Sequence, residues 1–284
     1  GAAPLVVEDL YGIYTGYPFD VRGSFESDDP ALEKIWETGW RTARLCAHET
    51  YFDCPYYEQL QYAGDTRIQA LISLYVSGDD RLVRKAIRMY DLSRSYEGIT
   101  CSRYPSHIPQ YIPPFSLYWI GMIHDYWMHR SDDAFVRSFL PGIRTVLSWF
   151  TEKIDPHTGL LKNGLPHWNF TDWATSWERG IAPESDSSGS AITTLQLAAA
   201  LDDAADLMRR YDRPAEAKEY AAISAGLKKN VYEKCWDASK GLLRDYIGSP
   251  TYSQHVNIMG ILTDAIPHKD QRAVFERIDS DPSL

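Results

Sequence analysis

Cysteine is scarce in this chain. Its 284 residues include four cysteines, Cys46, Cys54, Cys101 and Cys235. None belongs to a C-x-x-C pair, and none has a histidine at the spacing of a zinc finger. The pattern argues against a disulfide framework and against a metal site. We therefore expect reduced thiols that lie mainly in the core.

An excess of basic residues and long apolar runs are also lacking. Acidic residues outnumber basic ones by 39 to 29, which gives a net charge of −10. Such a charge disfavours nucleic acid and anionic membrane surfaces as partners. No apolar run approaches the roughly 18 residues that a membrane helix needs. The first residues, GAAPLVVEDL, lack the regions of a signal peptide, and the sequence leaves the location open between cytoplasm and export.

Strand-like alternation is scarce after residue 28, and helical periodicity replaces it. Residues 1–27 are predicted to form an extended linker, and residues 28–284 about nine helices. Segments 68–77, 115–128, 190–201 and 254–262 are apolar nearly all round, whereas 80–97 and 214–234 have one heavily charged face. A helix that is apolar all round is buried, and an amphipathic helix lies outside. The alternation predicts an all-α fold with two concentric layers of helices, an α/α toroid.

Single residues predict three helix boundaries. Ser27 or Asp28 is expected to cap the first helix, with Pro30 in its first turn. Asp65 is expected to cap the second helix. Pro141 is expected to kink a later helix or to break it in two.

The segment YFDCPYYEQLQYAGDTR, residues 51–67, combines the carboxylates Asp53, Glu58 and Asp65 with four tyrosines. Two carboxyl groups placed across a glycosidic bond are the minimum for glycoside hydrolysis, one as proton donor and the other as base or nucleophile. A nearby carboxylate or apolar aromatic walls help a donor to keep its proton, and Glu58 has both kinds of neighbour. The structural alternative is that Asp53 caps a turn, Asp65 caps a helix and Glu58 is solvated.

Two further loops are rich in aromatic residues. Residues 164–180, GLPHWNFTDWATSWERG, contain two acids, Asp172 and Glu178, within a tryptophan cluster, which could instead be an apolar plug over the barrel end. Residues 98–119 supply Arg103, Tyr104, His107, Tyr111 and Trp119. Three such loops at one end of a toroid would build an aromatic, acid-lined pocket suited to a sugar.

The string DCPYYEQLQYAGDTRIQ resembles the signature of the bacterial α-L-rhamnosidases, glycoside hydrolase family 78, which carry close variants of D-C-P-x-x-E-x-L-x-W/Y-x-G-D. The upstream string SFESDDPALEKIWETGWRTARL resembles the start of the first barrel helix in that family. NFTDW is similar to a G-D-W-like element, with Thr171 in place of the glycine. The resemblance extends from about residue 24 to the end of the chain.

The resemblance implies an (α/α)6 barrel of six hairpins and inverting hydrolysis of terminal α-L-rhamnosides in a glycoside or oligosaccharide, without a cofactor. It assigns Glu58 as the general acid, and Asp53 and Asp65 as acids that hold sugar hydroxyls and tune Glu58. Tyr62 stands where many members have tryptophan. The implied substrate-binding residues are Tyr62, Arg67, Trp119, Asp172, Trp173 and Trp177.

The chain departs from the family near its end. The general base of the family is a glutamate in a late segment resembling G-A-T-T-x-W-E, and no such segment is present. The flanking β-sandwich domains of the family are also absent. We therefore expect a barrel without its last hairpins, a base outside the chain and no activity of the chain alone. The alternatives are another α/α-toroid exo-glycosidase, a polysaccharide lyase that uses Tyr/His or Arg proton chemistry, and a non-catalytic sugar-binding toroid.

Overall fold

The computed structural model describes residues 4–281 and 284, and helices dominate this part of the chain. The helices are α1 (Pro30–Leu45), α2 (Ala63–Val76), α3 (Arg81–Leu92), α4 (Pro113–His129), α5 (Asp133–Arg137), α6 (Leu140–Thr151), α7 (Ala191–Arg210), α8 (Pro214–Cys235), α9 (Gln254–Leu262) and α10 (His268–Ser280). Strands β1 (Trp236–Asp237) and β2 (Leu242–Leu243) pair antiparallel. Within the predicted linker, residues 4–27 contain neither helix nor strand, and residues 1–3 lie outside the described residues.

The helices form two layers. In the inner layer α2 packs on α4, α4 on α7 and α7 on α9. The outer layer consists of α1, α3, α6, α8 and α10, each packed on one or two inner helices or joined to them as a hairpin. Most residues of α4 and α7 are buried, whereas α3 and α10 bury one face each. The described helices thus confirm the predicted all-α, α/α-toroid fold. None of them is both long and apolar enough to cross a membrane.

The first helix boundary differs from the prediction by one or two residues. Asp29, instead of Ser27 or Asp28, caps α1, and its Oδ1 accepts a hydrogen bond of 2.9 Å from the backbone N–H of Ala31. The cap lies there because Pro30, whose fixed φ suits the first helical position, begins the helix.

The second boundary also corrects the prediction, and the third confirms it. Helix α2 begins at Ala63, so Asp65 lies inside the first turn and does not cap the helix. The backbone of Tyr62 occupies the N-cap position without a side-chain hydrogen bond. The predicted helix is broken in two, into α5 and α6, and Pro141 lies in the first turn of α6. This is the position expected for a proline that breaks a helix.

The long connections meet at one end of the inner layer. Segments 46–62, 93–112, 152–190 and 236–253 each lead into an inner helix or its cap. The Tyr62 ring lies 6.3 Å from that of Phe115 in the first turn of α4, and Phe115 lies 6.0 Å from Phe170 of the third connection. His255, at the start of α9, contacts Asp172 of that same connection. The inner helices therefore begin at a common end, where the predicted site residues are concentrated.

The cysteines are free thiols. Cys46, Cys101 and Cys235 are buried, and Cys54 is partly buried in the acid-rich connection before α2. Their mainly internal positions agree with the prediction.

Candidate active site

Glu58 lies in a short chain of hydrogen bonds on the motif loop, which we define as residues 51–62. The Tyr62 hydroxyl donates to Glu58 Oε2 at 2.8 Å, and Arg103 Nη1 donates to the Tyr62 hydroxyl at 2.8 Å. Arg103 Nη1 is also 3.7 Å from Glu58 Oε2. Burial, followed by the hydrogen bond to Glu58, raises the pKa of Tyr62 to about 12, so this hydroxyl keeps its proton. Because the Glu58 side chain is 50% exposed, a ligand can reach it.

Asp53 closes the motif loop. Its backbone N–H donates to the carbonyl of Leu60 at 2.9 Å, and its Oδ1 accepts from the backbone N–H of Leu60 at 2.9 Å. Inside the loop, the Glu58 backbone N–H donates to Cys54 Sγ at 3.3 Å, and Gln59 adopts a left-handed φ of 52°. Asp53 thus has the turn-forming role of the structural alternative, and this role fixes the backbone that carries Glu58.

Asp65 brings the third carboxylate of the motif to the same place. Burial raises its pKa, a backbone hydrogen bond opposes this rise, and the negative charges of Asp53 and Glu58 add to it. The charges of Asp53 and Glu58 therefore act on the Asp65 carboxyl group and disfavour its ionised form. The three carboxylates predicted from the motif share one site at the start of α2.

The tryptophan loop, residues 164–180, forms the second part of the site. The backbone N–H groups of Thr171 and Asp172 donate to the carbonyl of Gly180 at 2.8 and 3.2 Å, which closes the loop. Gly180 has a φ of 69°, and a Cβ there would lie 2.5 Å from the Phe170 ring, so only glycine fits. The Phe170 ring contacts Trp173 at 5.1 Å, and Trp173 is 70% exposed. The loop thereby presents an accessible indole beside the rings that connect it to the motif loop.

Asp172 is held by a helix that follows it by 83 residues in the sequence. His255 Nε2 donates to Asp172 Oδ2 at 2.9 Å, and the His255 ring lies 4.7 Å from the Trp177 ring. The charge of Asp172 adds to a rise in the pKa of Tyr118 that burial mainly causes. Tyr118 packs 5.7 Å from Phe115, which also contacts Tyr62. Asp172 and the motif loop therefore lie at the same end of the barrel.

One predicted binding residue is not at this site. Trp119 is fully buried, and its Nε1 donates to the carbonyl of Ile87 at 3.0 Å in the core. The expectation that Trp119 contacts substrate is therefore wrong. Of this pair it is the ring of Tyr118 that contacts Phe115, at 5.7 Å. Arg67 binds Asp125 at 2.7 and 3.2 Å, and its contact with substrate stays a prediction.

Three residues at the site were not predicted to bind substrate. Arg103 lies within an aromatic loop that the sequence indicates, but nothing local connects it to Tyr62. Tyr118 sits next to Trp119, and only the rotation of α4 distinguishes them. His255 has no local signal, because its partner Asp172 is distant in sequence.

Two clefts of about 600 and 560 Å³ lie beside the outer helix α3. They share His48, Glu49 and Lys85, and none of the predicted site residues lines either cleft. The second cleft nevertheless borders the motif loop, because Phe52, Gln59 and Gln61 line it.

Two layers of helices, with acidic and aromatic loops where the inner helices begin, define a fold of the α/α-toroid class. Residues 20–280 match the family model of the bacterial alpha-L-rhamnosidase 6 hairpin glycosidase domain, and the chain belongs to this family. None of the curated proteins matches the chain.

Solved structures of rhamnosidases resemble this fold. The GH78 family rhamnosidase of Bacillus sp. GL1 is 27% identical with a TM-score of 0.84, over 94% of this chain and 28% of that one. The rhamnosidase from Klebsiella oxytoca with rhamnose bound is 22% identical with a TM-score of 0.78, over 90% and 48%. The Streptomyces avermitilis alpha-L-rhamnosidase complexed with L-rhamnose is 16% identical with a TM-score of 0.72, over 93% and 24%. The chain spans less than half the length of each of these proteins.

Proposed function

We propose that this chain carries the acid side of an inverting α-L-rhamnosidase site, with Glu58 as the general acid. The observation that carries the proposal is the hydrogen bond from Tyr62 to Glu58. Asp65, a carboxyl group whose pKa is raised by burial, lies at the same site. The family match and the two rhamnose-bound structures of the same fold support rhamnose as the sugar.

The proposed reaction breaks the bond between the anomeric carbon and the glycosidic oxygen. Glu58 gives its proton to that oxygen as the bond breaks, and a water attacks the anomeric carbon from the opposite face. A second carboxylate takes a proton from the water and must lie roughly 6.5–9.5 Å from the acid. We assign this base to a segment outside residues 1–284, and Glu178 of the tryptophan loop is the alternative inside them.

The described side chains divide the recognition of the sugar between them. Asp53, Asp65 and Asp172 supply acceptors for hydroxyl groups, because carboxylates accept up to four hydrogen bonds. The exposed ring of Trp173 offers a flat apolar wall for the methyl group and the apolar face of a deoxy sugar. Tyr62, Arg67 and Trp177 complete the proposed substrate-binding set.

A polysaccharide lyase is less compatible with the same side chains. A tyrosine base must lose its proton, and both burial and the hydrogen bond to Glu58 raise the pKa of Tyr62 to about 12. Arg103 lowers that pKa but does not offset these two effects. Tyr62 therefore acts as a donor to Glu58, and Arg103 as a donor to Tyr62.

The test is hydrolysis of a nitrophenyl α-L-rhamnoside by the full-length protein, followed by NMR of the first sugar product. We expect β-L-rhamnose first, because a single displacement inverts the anomeric carbon. On an alkyl α-L-rhamnoside, Glu58→Gln should lower kcat by about 10²–10⁴-fold, since the amide cannot donate a proton as an acid, while rhamnose binding is retained. Glu37→Gln, an exposed glutamate of α1, is the matched control and should change neither. Retention of configuration, or a Glu58→Gln enzyme that keeps the wild-type rate on the alkyl rhamnoside, would contradict the proposal.

A further inference from the structure

The Asp172 carboxylate is held at both oxygens although it lies in an irregular loop. Its Oδ1 accepts from the backbone N–H of Trp173 at 2.7 Å, and its Oδ2 accepts from His255 Nε2 at 2.9 Å. The side chain is nevertheless 59% exposed. A carboxylate has about four lone-pair sites, so two fixed hydrogen bonds leave room for sugar hydroxyls.

His255 stands on a rigid support. It is the second residue of α9, whose cap Ser253 accepts from the backbone N–H of Val256 at 3.2 Å. Ser253 is itself bonded through its backbone N–H and its hydroxyl to Oδ1 of the buried Asp245, at 3.0 and 2.5 Å. The imidazole therefore projects from a helix whose start is fixed by the hydrogen bonds of Ser253.

The His255 ring also contacts the second aromatic residue of the tryptophan loop. Its centroid lies 4.7 Å from that of Trp177, with an interplanar angle of 48°. One imidazole therefore touches both a proposed hydroxyl acceptor, Asp172, and a proposed sugar-contacting ring. Loss of this side chain would release both at once.

We propose that His255 is a positioning residue that fixes the Asp172 carboxylate and the Trp177 ring for a bound sugar. This inference rests on the proposed rhamnoside site. Without His255 the exposed carboxylate would keep only the hydrogen bond from the backbone N–H of Trp173, and sugar binding would have to include the cost of ordering it further. His255 acts through Asp172 and does not itself touch the reacting atoms.

Two substitutions separate this role from packing alone. In His255→Leu the hydrogen bond to Asp172 is removed, and we expect the Kd for L-rhamnose and the KM for a nitrophenyl rhamnoside to rise about tenfold, with kcat nearly unchanged. In His255→Gln the amide nitrogen can occupy the place of Nε2, so most of the affinity should return. His268→Leu, at an exposed histidine of α10, is the matched control and should behave as wild type.

A double-mutant cycle keeps the test independent of any loss of folding. If His255 acts through Asp172, adding His255→Leu to Asp172→Asn should weaken rhamnose binding much less than His255→Leu weakens it in the wild type, and the remaining loss reports the contact with Trp177. Three results would overturn the inference. They are affinity losses of the two single variants that add fully in the double variant, a His255→Leu variant with wild-type affinity, and failure of His255→Gln to restore binding. A wild-type protein that neither binds rhamnose nor cleaves rhamnosides would overturn the proposed function, and this inference with it.

Discussion

The hydroxyl of Tyr62 lies 2.8 Å from Glu58 Oε2 and equally far from Arg103 Nη1. The hydroxyl accepts a hydrogen bond from the Arg103 guanidinium and donates one to the Glu58 carboxylate. The position of the proposed acid is therefore set by a side chain at the N-cap of α2, the helix that also carries Asp65.

Tyr62→Phe tests this relationship, because it keeps the ring contact with Phe115 and removes only the hydroxyl. We expect kcat/KM on an aryl rhamnoside to fall about ten- to a hundredfold, as is typical when a hydrogen bond to a charged group is lost. Tyr96→Phe, at a tyrosine that is 98% exposed, is the control and should not change the rate. Equal rates for wild type and Tyr62→Phe would show that the hydroxyl does not position Glu58.

Asp65 predicts a pH-dependent stability. Its folded-state pKa is raised by burial, so between the usual and the raised value the folded protein binds more protons than the unfolded one. The free energy of unfolding therefore falls as pH rises through that window. Asp65→Asn removes this contribution, so its stability relative to wild type should increase with pH by at most about 1.4 kcal/mol per pH unit and then level off. Urea unfolding at a series of pH values measures the difference, and a difference that shrinks with pH would contradict the assignment.

Substitution of Trp119 is expected to lower the stability of the fold, and substitution of Trp173 to weaken sugar binding. Trp119→Ala removes a fully buried side chain, and we expect the free energy of unfolding to fall by about 3–5 kcal/mol. Trp173→Ala removes an exposed ring, so the stability should change by less than about 0.5 kcal/mol while rhamnose affinity falls. Thermal or urea unfolding and calorimetric titration measure the two effects. If Trp119→Ala weakened rhamnose binding and Trp173→Ala lowered the stability instead, Trp119 would be a residue of the site after all.

Local patterns predict much of this molecule. The alternation of all-round apolar helices with amphipathic ones indicates the two layers, because burial on all sides requires apolar residues on all sides. The motif loop is continuous in sequence, so Asp53, Glu58 and Asp65 could be named together. Pro141 marks a break because its ring is incompatible with a helix interior.

The remaining site residues depend on packing that no local pattern contains. Tyr118 and Trp119 are adjacent aromatics on a helix buried on most sides, and only its rotation against α2 and α7 decides which one faces the loops. His255 meets Asp172 because the fourth inner helix begins beside the tryptophan loop, a relation set by the succession of hairpins. The cap of α1 differs from the prediction because Ser27, Asp28 and Asp29 are all residues that can cap a helix, whereas α2 has its N-cap at Tyr62, three residues before Asp65 and without a side-chain hydrogen bond.

The 284 residues alone are predicted not to hydrolyse α-L-rhamnosides, because the proposed base lies outside them. Assays should compare this chain with the full-length protein on the same nitrophenyl rhamnoside, with Glu178→Ala made in both. Turnover by the isolated chain that disappears in Glu178→Ala would identify Glu178 as the base and contradict this prediction.

The role of Glu58 as general acid is tested most directly by measuring how the hydrolysis rate of the Glu58→Gln variant depends on the leaving group of the substrate. A dinitrophenolate leaves without protonation, whereas an alkoxide requires a proton as the bond breaks. We predict that Glu58→Gln in the full-length protein cleaves a dinitrophenyl α-L-rhamnoside at close to the wild-type rate and loses about 10²–10⁴-fold on an alkyl rhamnoside. An equal loss on both substrates would show that Glu58 does not protonate the leaving group.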